Sequence, residues 1–415
     1  MKKLLLVILI FTSSNFLFSQ ELGGWKLNGQ IQLRSEVDGR DFSNQTHPLT
    51  FTSMRTRLGV EKTFDEKVQL FVQFQDSRVF GEEPNTLAAI DNIDLHQGYV
   101  KIVKPLGLNL NVQAGRFEVA YGTERFFGPV GWNYIGRSFD GVRFTVAPEE
   151  WNLDLFALTV KESVGYIGNA TPAIYPYPQQ PTPSFSIYGF WKKNNLSDKS
   201  SLDLFGYFEV DRTDVMPDTN ALEMFTLGGS YFGNYGKLST VVEGAYQLGK
   251  RAGKDVSAYL ISAQLNYLLN EVSLGAGADL VSGNDPNSPD KYKAFSTSYG
   301  TNHKFYGYMD YFINVAANTG GLGLNDIYVK AQYLPVDSKF DIAADFHHFM
   351  SNQKSASDQN TFGQEIDLTI KYKFVKGTAI VWGGSVFFPG DLMKALFAPR
   401  EDAAFWTYLM ITANL

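Results

Sequence analysis

The sequence predicts an all-β fold: a transmembrane antiparallel up-and-down barrel of about eighteen strands, with short periplasmic turns and long extracellular loops. Three observations predict it. Segments near the roughly 10-residue length of a tilted membrane strand alternate apolar and polar residues along most of the chain. Connections between these segments alternate long and short. After the first twenty residues no apolar run reaches the ~20 residues that a spanning helix needs.

The chain begins with Lys2 and Lys3, the apolar run Leu4 to Phe11 and a small residue at Ser19 before Gln20. A charged start, a short apolar core and a small residue at the cut describe a secretory signal peptide over residues 1–19. Residues 20–415 are then expected to form a single barrel domain in the outer membrane of a Gram-negative cell.

Trp25 to Glu36 sets Trp25, Leu27, Gly29, Ile31 and Leu33 on one face and Gln30, Gln32, Arg34 and Glu36 on the other. Successive side chains of a strand point to opposite faces, so this is a two-faced strand. Phe51 to Glu61 opposes Met54, Leu58 and Val60 to Arg55 and Arg57, and Val68 to Gln75 opposes Val68, Leu70, Val72 and Phe74 to glutamines. The division recurs at Leu108 to Gln113, Leu202 to Asp211, Val272 to Asp279, Phe340 to Asp345 and Ile366 to Lys373. Long gaps at 37–50, 76–92, 117–137, 163–183 and 284–321 interleave with short ones at 63–67, 104–107, 148–150, 194–198 and 335–338. A soluble β-protein has no reason to keep loop length in phase with strand parity; an outer-membrane barrel does. Trp25, Trp151 and Trp191 fall at ends assigned to the periplasm and share the apolar parity, as an aromatic girdle would. The final segment alternates through Leu409, Ile411, Ala413 and Leu415, so the last strand closes against the first and leaves no free edge. The segment 284–302, rich in Pro, Asn and Ser, is expected to form surface turns, with Ser282 to Asp290 an ordinary Asx and Pro turn rather than a calcium loop.

Composition narrows the function. The 415 residues hold 36 Lys and Arg, 43 Asp and Glu, no Cys and a net charge of -7. Nucleic acid is not an expected partner of such a chain, and a thiolate metal site is excluded. The five histidines show no metal or hydrolase constellation, because the adjacent pair His347 and His348 must face opposite ways. Neither an enzyme nor a cofactor is expected.

With the polar faces inward, Arg34, Arg55, Arg57, Lys101 and Arg143 make the first third of the wall basic. Asp203, Glu209, Glu243, Asp279, Asp341 and Asp345 make the later wall acidic. Between two such strands lies Gly115 to Val146, whose long irregular interior carries Arg125 and Arg137 and is flanked by Arg116 and Arg143. A loop of this kind, folded at the pore, would select an anionic solute through the bidentate hydrogen bonds arginine makes better than lysine.

The segments MRTRLGVE (Met54 to Glu61), GRFEVAYGTERFFGPVGWNYIGRSFDGVRF (Gly115 to Phe144) and NHKFYGYMDYF (Asn302 to Phe312) resemble the alginate-export type of outer-membrane barrel. The resemblance implies a porin-like channel whose electropositive, arginine-lined constriction passes a polyuronate. It points to Arg57, Arg116, Arg137 and Arg143, with Asp140 as counter-charge. The expectation is therefore a monomeric passive channel for anionic saccharides, its partners being the outer-membrane lipid and the solute. The alternative is a non-conducting structural or adhesive barrel whose loops 117–137, 163–183 and 284–321 bind a surface polymer or partner.

Overall fold

In the computed structural model the alternating segments lie in strands, except that Leu108 to Leu110 belong to the turn before a strand that starts at Asn111, and the polar side is the covered one. The structure describes residues 20–83, 92–161, 184–212, 221–335 and 338–415; the expected signal peptide and the whole of loop 163–183 lie outside the described residues. The barrel strands are β1 (Trp25–Gly39), β2 (Leu49–Phe64), β3 (Val68–Val79), β4 (Ile93–Val103), β5 (Asn111–Phe117), β6 (Phe139–Val146), β7 (Trp151–Lys161), β8 (Phe185–Ser197) and β9 (Ser200–Asp211). They continue as β10 (Leu222–Tyr235), β11 (Leu238–Arg251), β12 (Lys254–Leu269), β13 (Val272–Val281), β14 (Leu324–Tyr333), β15 (Phe340–Met350), β16 (Thr361–Val375), β17 (Thr378–Pro389) and β18 (Ala404–Asn414). Each pairs antiparallel with its neighbour. The sheet closes where β18 meets β1, from Gln30 opposite Asn414 to Gly39 opposite Phe405. Closure leaves every barrel strand paired on both sides, the condition for a sheet to exist in hydrocarbon.

Burial is inverted relative to a soluble protein. On β1, Gln30, Gln32, Arg34 and Glu36 are buried while Ile31 is 48% exposed; on β2, Arg55 and Arg57 are buried while Leu58 is 59% exposed. The outer faces meet lipid and the inner faces meet folded loops. Trp25 and Trp151 stand outward at the periplasmic strand ends, joined in a girdle by Tyr235, Tyr267, Tyr333, Phe340 and Tyr372.

Trp191 is a correction to the girdle. It points into the lumen, 4% exposed, its indole stacked between Tyr121 at 4.8 Å and Phe205 at 4.3 Å, with Nε1 donating to Asp203 Oδ2 at 2.9 Å. On β8 the odd residues Ile187, Gly189 and Trp191 face inward, and Tyr188 and Phe190 take the lipid face. Both faces of this strand are apolar, so alternation could not assign the indole.

Short turns gather at one rim and long connections at the other, apart from Ala252 and Gly253, a two-residue hairpin between β11 and β12. Both residues have positive φ, as a type I′ turn requires. The segment 282–323 departs further from expectation. Its first part is the surface turn foreseen, with Asn287 N donating to Asp285 Oδ1 at 2.9 Å. Its second part is not a surface turn: Phe295, Tyr299, Phe305, Tyr306, Met309 and Phe312 are buried inside the barrel.

Candidate functional site

The site is the lumen and the two loops folded into it. The first, residues 118–138, leaves β5 and returns at β6. Glu118 opens it and Ser138 closes it, and His96 of β4 meets both: Nε2 lies 2.7 Å from Glu118 Oε1 and Nδ1 lies 3.3 Å from Ser138 Oγ. A register shift between β3 and β4 at this level turns His96 inward beside Gln97. Burial pushes the Glu118 carboxyl up, but the hydrogen bond from His96 and the charges of Arg57 and Arg55 outweigh it and hold the carboxyl below its ordinary value.

The wall arginines grip this loop by its backbone. Arg34 Nη1 donates to Trp132 O at 2.8 Å, with the guanidinium 4.2 Å over the Trp132 ring. Arg55 Nη1 donates to Asn133 O at 2.6 Å and Gly131 O at 3.1 Å, while its Nη2 is held by Gln30 and Gln32. Arg57 Nη1 reaches Glu118 Oε1 at 3.1 Å and its Nη2 reaches Ile135 O at 3.4 Å. A carbonyl-rich irregular loop has unpaired acceptors that must be satisfied once it leaves water, and rigid multi-donor arginines satisfy several each. Gly136 permits the contact: at φ 79, its missing Cβ would stand 2.5 Å from Arg57 Nη2.

The loop crosses the lumen to the acidic wall. Arg125, 3% exposed, donates from Nε to Glu243 Oε2 at 2.8 Å and from Nη1 to Asp279 Oδ2 at 3.0 Å, with Phe305 4.0 Å beneath its guanidinium. Burial alone would depress this guanidinium; Asp279, Tyr306 and Glu243 override it and hold it well above its ordinary value. Arg137 Nη1 donates to Gly128 O at 3.4 Å and Gly300 O at 3.3 Å, so it joins the first loop to the second. Gly128 N donates to Tyr299 O, Thr301 N donates to Glu124 O, Lys304 pairs with Glu124 at 2.6 Å, and His303 stacks on Trp132 at 4.3 Å. The second loop is tied to the acidic wall by Tyr299 OH, which donates to Glu209 at 2.9 Å, and by Met309 N, which donates to Glu365 Oε1 at 2.9 Å.

The structure brings Arg34, Arg55, Arg57, Arg125 and Arg137 together around the loops. It keeps Lys101 and Arg143 on the lumen wall beneath them, toward the periplasm. Arg143 Nη2 donates to Gln113 Oε1 at 2.6 Å, and its buried Nε has no hydrogen-bond partner. Arg116 and Asp140 are corrections: they stand on the outer face, paired with one another at 2.7 Å. On β5 the inward residues are Gln113, Gly115 and Phe117, and on β6 they are Phe139, Gly141 and Arg143. Membership of the same motif therefore did not mean membership of the same face. Missed in the sequence were Trp132 and the aromatic run 305–312, whose density of rings in an extracellular loop was the available signal. Also missed were Lys193, Lys371 and Lys373, which face the lumen near its periplasmic end.

The family model described as alginate export matches residues 26–399. The chain belongs to the alginate export family. Solved structures share the fold of this family member at low identity. OpdL of Pseudomonas aeruginosa superposes with a TM-score of 0.63 at 11% identity, covering 95% of this chain and 99% of that one. OccAB4 of Acinetobacter baumannii gives 0.59 at 11% identity, covering 97% and 99%. OpdK of Pseudomonas aeruginosa, solved with vanillate, gives 0.57 at 9% identity, covering 94% and 98%. Comparison with curated proteins found no match. This alginate-export protein is an outer-membrane channel and not an enzyme.

Proposed function

We propose that the barrel passes anionic saccharides, polyuronates or related oligosaccharides, and that two sets of cations divide the work. The buried arginines Arg34, Arg55, Arg57, Arg125 and Arg137 hold the two inward loops in place rather than meeting the solute. Contact with the solute falls to Lys101, Arg143 and Lys193 on the near wall, with Lys371 across the lumen beside Lys373, whose Nζ is paired with Asp341 at 2.7 Å.

The observation that carries this reading is the inward placement of these five cations near the periplasmic end, below loops that already occupy the other arginines. Lys101 has no ion-pair partner among the described residues, and the carboxylate paired with Arg143, that of Asp154, stands 3.9 Å from its Nη1. Such groups raise the local concentration of an anion without binding it too tightly to release. Family membership supports the same solute class.

Single-channel recording in a planar bilayer under a salt gradient, with uronate oligosaccharides added, tests the reading. The expected result is an anion-preferring channel, blocked by the oligosaccharides, that loses its preference when Lys101, Arg143 and Lys193 are changed together to Ala. Cation preference in the wild type would remove the anionic solute. Closed traces from a folded barrel would favour the structural or adhesive reading, in which the interlocked loops seal the lumen.

A further inference from the structure

Arg143 of β6 and Asp154 of β7 face one another inside the lumen but do not close. Their Nη1–Oδ2 separation of 3.9 Å is the longest of any arginine–carboxylate pair among the described residues. Arg34 with Glu36, Arg125 with Glu243 and Arg57 with Glu118 lie at 2.7, 2.8 and 3.1 Å. A guanidinium and a carboxylate left to themselves in a wall that water hardly reaches settle at about 2.7–2.9 Å, because their attraction is weakly screened there.

The restraint is visible on the carboxylate. Asp154 is 8% exposed and both of its oxygens are taken: Thr145 Oγ1 donates to Oδ1 at 2.6 Å, and Tyr121 OH donates to Oδ2 at 2.9 Å. Thr145 belongs to the wall, on β6, whereas Tyr121 belongs to the first inward loop. The tyrosine is itself firmly seated. Its ring stacks on Trp191 at 4.8 Å with 8° between the planes, and its backbone closes the turn that carries Arg125. Tyr121 N donates to Phe127 O at 3.1 Å and Glu124 N donates to Tyr121 O at 2.8 Å. On the other side, Gln113 Oε1 holds the guanidinium through Nη2 at 2.6 Å.

We infer that Tyr121 is a positioning residue for the anion filter: with Thr145 it holds the Asp154 carboxylate off Arg143, so that the guanidinium keeps its charge for the solute. This role rests on the one proposed above for Arg143. A closed Arg143–Asp154 pair would present an arriving carboxylate with a neutral surface, whereas the open pair leaves Nη1 donors and positive potential on the lumen side. The two hydroxyls satisfy the oxygens of Asp154 without adding a charge of their own. A neutral loop residue thereby ties the seating of the loop to the charge of the filter, since Asp154 closes on Arg143 when Tyr121 leaves.

Calorimetric titration of a uronate trisaccharide into the detergent-purified protein reads the affinity, and the reversal potential in a bilayer under a salt gradient reads the charge preference. Tyr121→Phe keeps the ring on Trp191; it should weaken binding several-fold and move the reversal potential toward the cation side. Thr145→Val, which touches no loop, should do the same. Asp154→Asn removes the competing charge and should bind at least as tightly as the wild type. Tyr121→Phe combined with Asp154→Asn should match Asp154→Asn alone, because no carboxylate remains to close, and this non-additivity is the mark of a shared partner. Heat-modifiable migration checks that each variant is folded. A wild type that neither binds the trisaccharide nor prefers anions removes the role of Arg143 and that of Tyr121 with it. A wild type that binds, alongside folded Tyr121→Phe and Thr145→Val that bind equally well, overturns the role of Tyr121 alone. A double variant as weak as Tyr121→Phe also overturns it, because the hydroxyl would then act only by holding the loop.

Discussion

Arg125 carries a charge from a loop into the interior and finds two carboxylates there, Glu243 and Asp279, each almost fully buried. Removing one member of a buried ionic group leaves the others uncompensated, at a cost of roughly 3–5 kcal/mol. Arg125→Ala should therefore lower the thermal unfolding midpoint in detergent and release the loop, read as larger and noisier single-channel conductance. Arg125→Lys should recover part of both, because one ammonium cannot span the two carboxylates. Glu118 predicts a pH effect. Its carboxyl sits below its ordinary 4.5, so its hold on Arg57 and His96 is complete above that value and is lost as pH falls through the lowered one. Channel noise should stay flat from neutral pH to about 5 and rise below the ordinary carboxylate range. Glu118→Gln should be noisy at every pH and lack the acid step; an acid step that survives in this variant would assign it to another group.

At the scale of the element, strand alternation made most faces legible. It worked where one side was polar: Gln30, Gln32 and Arg34 on β1 could only be a lumen face, since lipid offers no hydrogen bonds. It failed on β8, where Ile187 and Trp191 inside are as apolar as Tyr188 and Phe190 outside, because an aromatic loop residue, Tyr121, covers the inner face. The two tryptophans at neighbouring strand bases separate these cases. Trp191→Ala opens a hole between Tyr121 and Phe205 and should cost about 3–5 kcal/mol in denaturant unfolding from micelles. Trp151→Ala should cost about 1 kcal/mol, the worth of an exposed contact such as that with Lys192, whose Nζ lies 5.3 Å over the ring. Equal losses would mean that both rings serve the same surface. The connection 282–323 failed for the opposite reason. Pro, Asn and Ser describe a turn correctly up to Asp290, but composition averaged over the whole loop hid the ring-rich half that enters the lumen.

At the scale of the molecule, the sequence by itself determined that the chain is a closed barrel of about eighteen strands, which rim carries the long loops, and that one part of the wall is basic and another acidic. Those properties follow from local pattern, since lipid on one side and polar lumen on the other act on every second residue. Only the tertiary structure decided what the charges do. Arg34, Arg55 and Arg57 were foreseen inside the barrel, yet whether they would meet solute or loop depended on where residues 131–135 come to rest. That is set by contacts across tens of residues that no local period encodes. Arg116 and Asp140 differ: they sit in one arginine-rich stretch with Arg125 and Arg143, but an even number of residues separates them from Val112 and Val142, so strand parity alone turns them outward. Because a side chain's face changes with each single residue along a strand, composition can supply the charges of a site while the placement of each one waits on pairing and loop folding.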